Sequence, residues 1–208
     1  YPYINCLLNQ QQSPKDYIIS LFDDFDIVVL QENIHGEASQ WELITDIIKD
    51  SIFIHNVGNV FTEYGSAMHQ DKIDRFLHIK FDSDTALEKE TALLMNYMSG
   101  GFYYFIKNLN LLNNTLPDSL KIQEHYTDCI DWDYFTTLGR GQISQDMNRD
   151  SLMADVVIKW YNQQCKDNKR HKLLLVTNGR HAYGYAGGKA KITDKRNDFR
   201  YLNKGNQG

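Results

Sequence analysis

At 208 residues the chain is long enough for one well-buried core and too short for two, and its 42% hydrophobic content excludes a disordered polymer. A net charge of −5, with Lys and Arg dispersed except for a loose basic stretch over 189–204, lacks the clustered positive footprint that nucleic acid requires. Three cysteines (Cys6, Cys129, Cys165) with no C-x-x-C exclude a disulfide framework and a structural zinc site.

The basic stretch reads as a solvated loop. No apolar run approaches the roughly 18 residues of a membrane helix. A start at Tyr1 without a signal peptide fits a processed or trimmed polypeptide and leaves the compartment open.

In chain order, Asp26-Ile-Val-Val-Leu-Gln31 comes first after a polar opening. Four consecutive apolar residues, mostly β-branched, predict a strand buried on both faces. From Glu37 to Lys49 the period changes, and Trp41, Ile44, Ile47 and Ile48 fall on one helical stripe. Asn59-Val-Phe-Thr-Glu63 reads as a second strand, followed by a helix from Ser66 towards Leu77. Residues 84 to 113 read as helical with a break at Gly100-Gly101, and Pro117 marks a turn.

Leu120 to His125 is a third strand. Asp150 to Gln164 predicts the clearest helix, with Leu152, Met153, Val156, Val157, Trp160 and Tyr161 at three- and four-residue steps. If Trp160 is fully buried there, truncation to alanine costs roughly 3–5 kcal/mol. Lys172-Leu-Leu-Leu-Val-Thr177 predicts another strand buried on both faces. The stretch after Gly184, rich in Gly, Lys and Asn, reads as a loop leading towards a further strand.

This alternation predicts an α/β fold, a mainly parallel sheet with helices on both faces and right-handed crossovers. The expected organisation is one α/β domain over residues 1–208, incomplete at its C-terminal end, with 84–140 as a helical insertion. In such a sheet, ligands bind beyond the carboxyl ends of the strands.

Three predicted strands end in ionisable groups: Glu32 and His35 after the first, Glu63 at the second, and Arg180 and His181 after the last. A carboxylate three residues before an imidazole can orient it and raise its basicity, as general-base catalysis requires. The alternative is that Glu32 accepts backbone N–H groups at a helix start and His35 lies on the surface. For Glu63 the alternative is an ion pair with Arg149 or Arg180. His55, His69, His78, His125 and His171 read as surface or packing residues.

These residues resemble a known family. Val-Val-Leu-Gln-Glu-Asn-Ile-His-Gly-Glu (28–37) is similar to the G-E-x-x-H-G motif of the erythromycin-esterase-like proteins, and Val-Phe-Thr-Glu (60–63) resembles their second motif. Asn148-Arg-Asp-Ser-Leu-Met-Ala-Asp155 through Trp160 resembles their R-D-x-x-M-A-x-N-x-x-W helix, and Asn178-Gly-Arg-His181 resembles their H-N-x-H site. The order holds over residues 26 to 185. Gln31 stands in place of the motif glycine, Thr177 or Asn178 in place of the first histidine, and the helical insertion is much shorter than in macrolide esterases.

The family shares a wider fold with haem-binding lipoproteins of the ChaN type and with TIKI-type peptidases. The resemblance implies an α/β fold with a cleft over the sheet and a histidine-activated water. His35 would be the general base, Glu32 and Glu63 would orient it or the water, and His181 would support the oxyanion or leaving group. Arg149 and Arg180 would bind substrate or stabilise negative charge.

Three functions compete. An esterase-like hydrolase of a small-molecule substrate needs neither metal nor cofactor, and no G-x-S-x-G nucleophile is present. A small-ligand (haem-type) binding protein would use the same edge, lined by Tyr64, Tyr183 and Tyr185. A metal-dependent peptidase would use Glu32, His35, Glu63 and His181 as ligands. Oligomeric state is not legible.

Overall fold

The computed structural model describes residues 11–94, 100–130, 149–167 and 169–182, together with Ile4 and Asn9. Its strands are β1 (Ile27–Glu32), β2 (Asn59–Ser66), β3 (Gln123–Asp128) and β4 (Leu173–Asn178). All pair in parallel, in the order β1-β4-β2-β3. The α/β expectation is met by this all-parallel sheet with helices packed against it.

Side-chain alternation along the strands sorts the core into two faces. Val28, Val60, Leu174 and Val176 join one large apolar cluster, while Ile27, Val29, Phe61, Leu173 and Leu175 join a second. The first face is covered by α1 (Pro14–Asp24), α2 (Ala38–Ile48), α3 (Gln70–His78), α4 (Asp84–Leu94) and α5 (Gly100–Asn113). The second is covered by α6 (Arg149–Lys166), through Val157, Ile158 and Trp160. Helices that follow β1 and β2 lie on one face and α6, which precedes β4, lies on the other. The chain thus returns to insert β4 between β1 and β2, and the segments leaving these three strands meet above the central one.

Several expectations shift. Helix α1 falls in the stretch read as a polar opening. Ser13 caps it by accepting from Asp16 N at 3.1 Å, Pro14 occupies its first turn, and Ile18, Ile19 and Phe22 are buried. Among the described residues β1 is an edge strand, and Ile27, Val29 and Leu30 are half-buried rather than enclosed on both faces. β4 is an interior strand, buried from Leu173 to Thr177. The range 84–140 holds α4 and α5 but also β3, which is part of the sheet. On α6 the buried residues are Asp150, Met153, Ala154 and Val157, with Val156 half-buried and Leu152 exposed. Trp160 is half-buried against Phe61 and His125, so the penalty for a fully buried indole does not apply to it.

Among the described residues, both sheet edges are covered in part by a glutamine side chain that imitates a strand residue. Gln70 donates to Glu124 O at 2.7 Å and accepts from Tyr126 N at 2.9 Å. Gln40 donates to Gln31 O at 2.5 Å and accepts from Asn33 N at 3.3 Å. Each occupies backbone groups that would otherwise invite another strand.

β3 also buries an acid. Glu124 is fully buried and accepts from Thr62 Oγ1, while its Oε2 has no hydrogen-bond partner among the described residues. Burial pushes its carboxyl well above the usual range, and the Thr62 hydrogen bond offsets only part of this. A raised acid takes up a proton on folding, so stability falls as pH rises from about 4.5 towards the folded-state value. Glu124→Gln is therefore expected to stabilise the protein by about 1 kcal/mol or more at pH 8, with the gain vanishing near pH 4. Urea unfolding at both pH values checks this. A gain that does not vary with pH would mean that Glu124 is not a neutral buried acid.

Candidate active site

β1 delivers Glu32 to the carboxyl edge of the sheet, 1% exposed. Gly36 then turns the chain back with φ 86°, a conformation that side chains resist, and its N–H reaches Glu32 Oε1 at 3.2 Å. The same oxygen accepts from Tyr64 OH at 2.7 Å and from the Trp41 indole N–H at 3.1 Å. The other oxygen, Oε2, bonds His35 Nδ1. Burial alone would raise the Glu32 pKa, but hydrogen bonds from His35, Tyr64 and Gly36 outweigh it and hold the carboxyl below its ordinary value. Glu32 is thus an ionised anchor at neutral pH. It accepts a backbone N–H, as the structural alternative supposed, and it also orients His35.

The His35 ring is half exposed, and its far nitrogen, Nε2, lies 3.2 Å from Glu63 Oε1. Glu63 stands inside β2 rather than at its end. Pairing of β2 with β3 shifts register between Thr62 and Ser66, and Gly65 adopts φ 75°. This bulge takes Glu63 out of the ladder and aims its carboxylate across β4. There Oε2 accepts from Thr177 Oγ1 at 2.8 Å and from Asn178 N at 3.1 Å. Among the described residues the alternative ion pair between Glu63 and Arg149 is not found, and the Glu63 charge helps raise the Arg149 pKa from a distance.

His181 follows β4 in a single turn of helix, α7 (Gly179–Ala182), and is buried. Its Nδ1 bonds Asp150 Oδ1 at 2.7 Å, and its Nε2 lies 3.4 Å from Arg149 Nη1 and 3.7 Å from Glu63 Oε2. Arg149 grips Asp128 with two parallel bonds, Nε to Oδ1 at 2.9 Å and Nη2 to Oδ2 at 2.8 Å. Burial would lower the Arg149 pKa, but Asp128 and then Glu63 outweigh it and raise it.

Glu32, His35, Glu63, His181 and Arg149 therefore meet at one edge. Arg180 belongs to the same turn as His181, but its side chain lies outside the described residues, as do Tyr183 and Tyr185. Tyr64 enters as a donor to Glu32. Gln31, which replaces the motif glycine, lays its amide against Gly179, where a Cβ would come within 2.1 Å of Gln31 Nε2. Sequence reasoning missed Asp128 and the partnership of Asp150 with His181. His55, His78 and His171 bond backbone carbonyls away from this edge. His125 packs between Phe61 and Trp160, where burial pushes its pKa down to about 3.

Chemically, the edge offers a half-exposed imidazole between two buried carboxylates, beside a fixed guanidinium. One ligand atom each from Glu32, His35 and Glu63 lies within 4.8 Å of the others, close enough to share a cation. Fold and site together define a parallel α/β protein with carboxylate-held imidazoles at the carboxyl edge of its sheet. No family model, curated protein or solved structure matches the chain. Among the described residues, no helix is long and apolar enough to cross a membrane.

Proposed function

We propose that the chain is a hydrolase of small esters or related bonds, with His35 as the general base that activates water. The observation that carries this reading is the Glu32–His35 pair. Three donors fix the buried carboxylate, the carboxylate fixes Nδ1, and the ring remains half exposed with Nε2 3.2 Å from Glu63 Oε1. Such a base takes a proton from water without a protein nucleophile. The motif resemblance to erythromycin-esterase-like proteins supports the same role for His35. Hydrolysis of a panel of small esters by the purified protein tests it, and absence of turnover on every ester counts against it.

A second reading, a metal-dependent peptidase, draws on the close approach of Glu32, His35 and Glu63. Two features count against the four-ligand version with His181. Both Glu32 oxygens are already hydrogen-bonded, and the Arg149 guanidinium lies nearer His181 Nε2 than any acidic oxygen at that nitrogen. Elemental analysis of the purified protein separates the two. Stoichiometric divalent metal, with activity lost to a chelator and restored by that metal, favours the peptidase.

A further inference from the structure

We infer that Asp150 is a positioning residue that acts on Arg149 through His181, so that a fixed guanidinium faces the charge that develops in the reaction. The use made of Arg149 rests on the hydrolase reading; the arrangement itself does not. Arg149 presents two nitrogens to both oxygens of Asp128, a fully buried carboxylate at the end of β3. That fork fixes the plane of the guanidinium. The third nitrogen, Nη1, lies 3.4 Å from His181 Nε2. A guanidinium has only donors, so His181 meets it with a lone pair at Nε2 and carries its ring proton on Nδ1. Asp150 Oδ1, 2.7 Å from Nδ1, takes that proton in a hydrogen bond.

Asp150 thus selects the tautomer, and the tautomer decides whether Arg149 is held on its second side. The two acids reach the guanidinium from different directions, Asp128 directly from the sheet and Asp150 through an imidazole that follows β4. A cation held in this way suits a substrate whose attacked oxygen becomes anionic, such as a carboxylic ester. Water would give a proton to His35 Nε2 while its oxygen bonds to the carbonyl carbon. The carbonyl π pair would move onto oxygen, within reach of the Arg149 N–H groups. The carbonyl would then re-form as the bond to the alcohol breaks, and the alcohol would leave with the proton held by His35.

The test uses Asp150→Asn, which keeps the shape, removes the charge and lets an amide N–H turn towards Nδ1. Ring ¹⁵N spectra, recorded without substrate, are expected to show His181 protonated at Nδ1 in the wild type and at Nε2 in the variant. On any ester that the wild type hydrolyses, kcat should fall about 10- to 100-fold, with KM changed much less. In a His181→Gln background, where the amide oxygen can accept from Arg149, Asp150→Asn should cost less than about twofold. A wild-type His181 protonated at Nε2, an unchanged tautomer in Asp150→Asn, or the full loss in the His181→Gln background would overturn the inference. Because the spectra need no substrate, their result stands apart from whether the chain hydrolyses esters.

Discussion

His35→Ala is expected to lower turnover by about 100- to 10,000-fold while the protein stays folded. The loss follows from removing the ring that links the two buried carboxylates, Glu32 at Nδ1 and Glu63 at Nε2. Folding is expected to survive because neither carboxylate is stranded. Glu32 keeps Tyr64, Trp41 and Gly36 as donors, and Glu63 keeps Thr177 and Asn178. Single-turnover kinetics and thermal unfolding of the same preparation check both halves. Full activity in the variant would remove His35 from the mechanism. An unfolded variant would mean that the histidine serves as a structural tie.

Trp41→Ala carries the largest expected cost in stability, about 3–5 kcal/mol. Its indole is fully buried and packs on Tyr64, Phe102 and Phe105, with ring centroids 4.9–5.5 Å away. Its N–H also donates to Glu32. Core packing and site geometry therefore meet in one side chain. Trp41→Phe separates the two: it retains most of the packing and leaves Glu32 one donor short, at about 1–2 kcal/mol. Urea unfolding of both variants measures the difference. A loss below about 1 kcal/mol for Trp41→Ala would mean that the site is not built on this core.

The apolar runs made much of the sheet legible. Lys172 to Thr177 reads as a doubly buried strand because β4 lies in its interior, with neighbours on both sides. The same kind of run at Asp26 to Gln31 overstated burial, since periodicity does not reveal that a strand lies at an edge. β3 was placed three residues early. Its buried positions are Glu124, Tyr126, Thr127 and Asp128, a polar pattern that hydrophobicity cannot find.

That offset hid Asp128, the carboxylate at the end of β3. Glu63 was found, but the reason it faces the site was not, because a bulge depends on pairing with a strand some sixty residues away. α1 carried a readable signal in Ser13-Pro14 followed by Ile18, Ile19 and Phe22. The partnership of His181 with Asp150 joins α6 to the turn after β4, and no local spacing encodes it.

The dependence of the rate on pH, for the wild type beside Glu32→Gln, tests the central claim most directly. Carboxylates at both ring nitrogens of His35 favour its charged form, and the base form appears only after Nε2 loses its proton. The rate is therefore expected to rise with pH along a limb set by the loss of that proton. Glu32→Gln removes one negative neighbour, so it should move that limb to lower pH and reduce the plateau rate while the fold stays intact. A limb that does not move in Glu32→Gln, or a rate that falls as pH rises, would contradict His35 as a general base held by Glu32.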